Sequence, residues 1–155
     1  MLDSTSNIIY NTNMSIPNIV IDTNAVYSSM RSTRGASSKL LSLVGTGKFE
    51  IHLSVPLVLE YEDVLSRQNM SLSVNQEVIS DLIDSLCTFG YHHEIHFLWR
   101  PYLRDPKDEF VLELAITSQA DYIVTYNLRD FVGAEKFGIE VITPKELLER
   151  IGEIK

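Results

Sequence analysis

Cys87 is the only cysteine in a chain of 155 residues, so no internal disulfide can form and a reducing compartment is the expectation. No apolar run approaches the roughly 20 residues that a membrane span needs. The opening residues lack the basic and then apolar order of a signal peptide, so the protein is expected in the cytoplasm, away from membranes. Basic residues are scarce: 13 Lys and Arg stand against 21 Asp and Glu, a formal charge of −8. That balance excludes a broadly cationic nucleic-acid binder. Any nucleic acid must be held by a local basic patch or through metal ions at its phosphates. Seven Gly and five Pro are too few for a collagenous or low-complexity chain, and 45% hydrophobic residues suffice for a core. The length fits one domain better than two.

Residues 1–16 read as a flexible N-terminal extension, because Ser4, Thr5, Ser6, Asn7, Asn11, Thr12, Asn13 and Ser15 cannot bury enough surface to offset ordering. Ile8, Ile9 and Tyr10 are a candidate docking arm, and Met14 a candidate alternative start. Residues 17–155 then alternate strand and helix. Asn18–Asp22 is a short β-branched run that suits a buried strand. A loop with Arg31, Arg34 and Gly35 leads to a helix over 37–44, stopped by Gly45 and Gly47. Glu50–Ser54 alternates as a strand, and Pro56 opens a helix through Leu65. Ser73 and Gln76 have capping-box spacing ahead of an amphipathic helix that Gly90 ends. Asp105 and Pro106 open another helix, with Phe110, Val111, Leu114 and Ala115 inward. Tyr122–Thr125 and Ile139–Ile142 are the remaining strands, and Thr143-Pro144-Lys145-Glu146 caps the last helix. This order predicts an α/β fold with a mostly parallel central sheet and helices on both faces. In such sheets the ligand site lies beyond the carboxyl ends of the strands.

Acids and amides occupy every such place. Asp22 ends the first strand and is followed by Thr23 and Asn24; Glu60 lies about one turn into the helix after the second strand. Asp105 and Asp108 flank a helix start, and Asn127 and Asp130 follow the Tyr122–Thr125 strand. Converging carboxylates repel and call for a compensating cation, and hard oxygen ligands favour Mg²⁺ or Mn²⁺. Metal-assisted attack of water on a phosphodiester is the natural chemistry. Each acid also has a plainer reading. Asp105 has the look of an N-cap, Asp108 sits at capping-box distance from it, Asp130 fits a cap for Phe131, and Glu60 resembles the solvated Glu62 and Asp63.

Four stretches carry a family likeness: Ile19-Val-Ile-Asp22-Thr23-Asn24, Pro56-Leu-Val-Leu-Glu60, Asp105-Pro-Lys-Asp108, and Tyr122-Ile-Val-Thr125-Tyr-Asn127-Leu-Arg-Asp130-Phe131. Together they resemble the PIN-domain ribonucleases, and most of all the VapC-like toxins of bacterial toxin–antitoxin modules. The resemblance spans about Pro17 to Arg150. It implies a three-layer α/β/α fold, a divalent metal at the acidic rim and endonucleolytic cleavage of RNA. It implies Asp22, Glu60 and Asp108 as metal-binding acids, with Thr23, Asn24 and Thr125 as supporting polar groups. Glu60 would ligate the ion or orient the attacking water; Asp130, with Asn127, would contact metal-bound waters. Asn127 stands where many PIN sequences carry Asp, keeping an acceptor oxygen and losing a charge. The resemblance further implies an antitoxin partner and a homodimer.

The basic residues for an RNA substrate are Arg31, Arg34, Arg104 and Arg129, with Arg100 near them. Trp99 and Tyr102 either stack bases or pack the 91–104 connection onto the body. His92, Glu94 and His96 share one strand face but lack a fourth ligand for zinc. Cys87 belongs to the core. A haloacid-dehalogenase-type phosphohydrolase would need Asp at position 24, and a receiver domain would need paired acids and a late Lys. A PIN-fold binding protein without catalysis is the alternative that Asn127 favours.

Overall fold

The computed structural model describes residues 15–95, 102, 103, 105 and 108–155. Ile8–Tyr10, Met14, His96, Trp99, Arg100, Arg104 and Pro106 lie outside them. Five strands, β1 (Asn18–Ile21), β2 (Glu50–Leu53), β3 (Tyr91–His92), β4 (Tyr122–Val124) and β5 (Glu140–Ile142), form one sheet in the order β3-β2-β1-β4-β5. Every pairing is parallel. Ile19 sits opposite Ile51 on one side and Tyr122 on the other, and Val124 opposite Ile142. The helices are α1 (Thr23–Arg31), α2 (Ala36–Ser42), α3 (Val55–Arg67), α4 (Asn69–Leu72), α5 (Gln76–Phe89), α6 (Glu109–Thr117) and α7 (Pro144–Arg150). Two 3₁₀ turns, Leu128–Phe131 and Ala134–Phe137, lie between β4 and β5. The result is the three-layer α/β/α arrangement that the strand–helix alternation predicts.

The central strand explains the layers. Ile19, Val20 and Ile21 of β1 are all buried, so both faces of the sheet must be covered. α6 packs on β1, β2 and β4, while α1 packs on α2 and α3, α3 on α5, and α2 on α7. The chain builds outward from β1 to β3, then returns to the other side of β1 to add β4 and β5. Strand order therefore reverses between β1 and β4, and a crevice opens at their carboxyl ends.

Five local expectations are corrected. Residues 23–31 form α1 rather than a loop; Asp22 caps it, and the cap signal was hidden in the strand-end acid. β3 is a strand of two residues, too short for a periodic signal. Asn75, not Ser73, caps α5, its side chain accepting from the Val78 N–H at 2.9 Å, while Ser73 takes a left-handed conformation after α4. α6 starts at Glu109, since Asp105 only begins a turn in which its carbonyl accepts from the Asp108 N–H at 3.0 Å. That start turns Phe110 outward, leaving it 46% exposed, and brings Leu112 into the core instead. The Pro56 helix and the Thr143–Glu146 capping box are as the sequence predicts. Among the described residues no helix is long and apolar enough to cross a membrane.

Candidate functional site

Asp22 is the single residue between β1 and α1, at the strand-order reversal. Its N–H extends the β ladder by donating to the Val124 carbonyl at 2.9 Å. Its Oδ1 accepts from the Thr23 N–H at 2.9 Å, and its Oδ2 accepts from the Thr125 hydroxyl at 2.8 Å. The Thr125 oxygen in turn accepts from Asn24 Nδ2 at 3.1 Å and from the Asn127 N–H at 3.0 Å. Asn24 Oδ1 accepts from the Tyr126 N–H at 3.1 Å. One lattice thus ties the ends of β1 and β4 together and fixes the Asp22 carboxyl, which is 7% exposed. Asn127 enters it through its backbone and is itself exposed.

Two further acids come from other elements. Ser54 caps α3, which places Glu60 in its second turn, and the Thr23 hydroxyl donates to Glu60 Oε1. Asp108 precedes α6 without capping it; its side chain makes no cap bond, and its Oδ2 is buried with no hydrogen-bond partner. Burial raises the Asp22 carboxyl to about 6, the Thr125 and Thr23 hydrogen bonds oppose that rise, and the charges of Glu60 and Asp130 add to it. Asp108 is pushed up to about 7, first by burial and then by Asp22, Asp130, Asp105 and Glu60. Acids from four separate stretches therefore feel one another at this crevice. Asp130 and Asp105 stand exposed at its margin.

The donor set is carboxyl, amide and hydroxyl oxygen, the chemistry that suits Mg²⁺ or Mn²⁺. The orphaned Oδ2 of Asp108 and the mutual repulsion of the acids fit a cation there. Among the described residues no group of three or more Asp, Glu, His or Cys side chains is arranged to hold a metal ion. Asp22 and Glu60 have oxygens engaged with Thr125, Thr23 and backbone, so a cation would be held by side chains that exchange hydrogen bonds for it.

The basic residues divide. Arg129 is exposed on the 3₁₀ turn beside Asp130, at the crevice. Arg31 ends α1 with its guanidinium 5.9 Å from the Tyr27 ring centre, and Arg34 follows in the next turn. Arg31 thus stands at the far end of a nine-residue helix, roughly 13 Å along its axis from the Asp22 end. Arg104 lies outside the described residues. Tyr102 packs on the body, edge-on to Phe137 at 5.2 Å and donating to the Gly133 carbonyl at 3.3 Å. His92 is exposed and its ring bonds the Cys87 carbonyl at 2.9 Å, while His96 lies outside the described residues. The imidazoles that do meet are those of His52 and His93, 2.8 Å apart.

Two participants carry no sequence signal of their own. Tyr61 reads as an ordinary apolar position of α3, yet its hydroxyl donates to the Ile21 carbonyl directly behind Asp22. Glu109 reads as one more acid, yet it is 8% exposed and accepts from the N–H groups of Tyr102 and Leu103.

Comparison with known proteins agrees with this architecture. The family model described as PIN domain matches residues 18–129, which contain Asp22, Glu60, Asp105, Asp108 and Asn127. No curated protein sequence matches the chain. Among solved structures, one chain of VapBC2 from Rickettsia felis, bound to a DNA fragment from their promoter, superposes with a TM-score of 0.55 at 13% identity. That match covers 80% of this chain and 98% of the other, and is a likeness of fold.

Proposed function

Because the chain belongs to the PIN-domain family, we propose that it is a metal-dependent endoribonuclease acting in the cytoplasm as the toxin of a toxin–antitoxin module. The observation that supports this reading is the hydrogen-bonded Asp22, Thr23, Glu60 and Thr125 lattice at the β1–β4 ends, with the buried, unpartnered Oδ2 of Asp108 and the rise of Asp22 to about 6 and Asp108 to about 7 through burial and through one another, Glu60 and Asp130. Such a cluster is costly without a cation and suits phosphate chemistry with one. The likeness to a VapBC2 chain supports an antitoxin partner, and the family supports a homodimer.

Asp22 and Asp108, with Glu60, would hold Mg²⁺ or Mn²⁺, which when bound neutralises the scissile phosphate and acidifies the attacking water. The protein's own part is positioning. Thr23 and Thr125 fix the two oxygens of Asp22, so its carboxyl cannot rotate away. The Thr23 hydroxyl holds Glu60 Oε1 and leaves the second oxygen to orient water. Asp130 lies outward, where it reaches water around the phosphate, and Arg129 beside it offers a charge to the RNA backbone.

Purified protein free of any antitoxin is predicted to cut RNA with Mg²⁺ or Mn²⁺, and to lose this in EDTA. Asp22→Asn is predicted to lose at least about 100-fold in rate while remaining folded. The second reading, a PIN-fold binding protein, rests on Asn127 in place of the usual acid. Folded protein that cuts nothing with either metal would establish that reading over the first.

A further inference from the structure

The side chain of Asp108 makes no hydrogen bond to α6, so the helix alone does not set its direction. The adjacent residue has the opposite character. Glu109 opens α6, is buried, and its Oε2 accepts from the Tyr102 N–H at 2.9 Å and also from the Leu103 N–H. The Glu109 carboxyl therefore ties the start of α6 to the Tyr102 and Leu103 amides, and the Asp108 N–H donates to the Asp105 carbonyl at 3.0 Å. Leu103 is buried in the core cluster, which anchors the clamp to the body.

We infer that Glu109 is the positioning residue of the acidic site, its bonds to the Tyr102 and Leu103 amides anchoring the start of α6, beside which Asp108 stands. The inference rests on the nuclease reading for what Asp108 does, and on the hydrogen bonds alone for how it is held. Successive residues at a helix start point about 100° apart. The start of α6 can thus present Glu109 to the Tyr102 and Leu103 amides while Asp108 faces another way. Outer partners that orient a ligand typically account for 10- to 100-fold in metal affinity. Glu113, one turn further along α6, has a buried unpartnered oxygen of its own and bonds neither loop amide, which makes it the control.

The test is Mn²⁺ binding by calorimetry to the full chain, with amide hydrogen exchange at Tyr102 and Leu103. Glu109→Ala is predicted to weaken Mn²⁺ roughly tenfold or more and to speed exchange at both amides. Glu109→Gln keeps a carbonyl acceptor and is predicted to restore both properties toward wild type. Glu113→Gln is predicted to change neither. Wild-type affinity in Glu109→Ala with faster exchange would overturn the inference alone, as would Glu109→Gln failing like Glu109→Ala. A wild-type protein that binds no Mn²⁺ would overturn the nuclease reading and the inference with it.

Discussion

Asp22 and Asp108 stand above the ordinary carboxylate range in the metal-free protein, at about 6 and about 7, chiefly through burial. In the unfolded chain both revert to an ordinary value near 3.9. The folded state then binds more protons than the unfolded state between roughly pH 4 and pH 7. Their contribution to stability is full below the unfolded value and is lost as pH rises through about 6 and about 7. Melting in EDTA at constant ionic strength is predicted to fall from pH 5 to pH 8. Asp108→Asn is predicted to flatten that slope, since the amide cannot ionise. A steeper slope in Asp108→Asn would contradict the cause assigned here. At this scale the sequence shows where the acids stand along the chain and is silent about what holds them. A strand-end Asp followed by Thr and Asn is visible, whereas the Thr125 hydroxyl bridging Asp22, Asn24 and the Asn127 backbone depends on β4 lying beside β1.

Among the elements, two glycines near the start of β2 separate backbone strain from crowding. Gly45 and Gly47 both have positive φ, +86° and +87°. A Cβ at Gly47 would meet nothing within 4 Å, whereas one at Gly45 would meet the Phe89 ring at 2.8 Å. Gly47→Ala is predicted to cost about 1 kcal/mol, from the left-handed conformation alone. Gly45→Ala is predicted to cost about 1 kcal/mol or more beyond that, because the end of α5 must shift. Denaturant midpoints of the two variants check this, and equal losses would contradict it. The elements legible in the sequence are those with an apolar run, an apolar face or a clear cap: β1, β2, β4, β5, α2, α3, α5 and α7. α1 is hidden in the sequence because it buries only Thr23, Ala25 and Val26, and its cap is Asp22, the residue that also ends β1. The start of α6 differs from the expectation because Asp105-Pro106 imitates a cap in sequence, whereas the helix opens at Glu109, whose side chain accepts from the Tyr102 N–H.

For the molecule as a whole, an acidic chain of charge −8 gathers more acid at the one crevice where its strand order reverses. Parallel order brought Asp22, Glu60, Asp108 and Asp130 together from positions spread over more than 100 residues. The strand–helix alternation predicts the parallel sheet with helices on both faces; the two-residue edge strand β3 follows only from the folded chain. The central claim is that these separated acids serve one divalent cation. Calorimetric titration of Mn²⁺ at pH 8 into wild type, Asp22→Asn and Asp108→Asn tests it most directly. Each substitution is predicted to weaken binding by at least roughly tenfold in a protein that still melts cooperatively. Equal Mn²⁺ affinity in all three proteins, or none in wild type, would contradict the account.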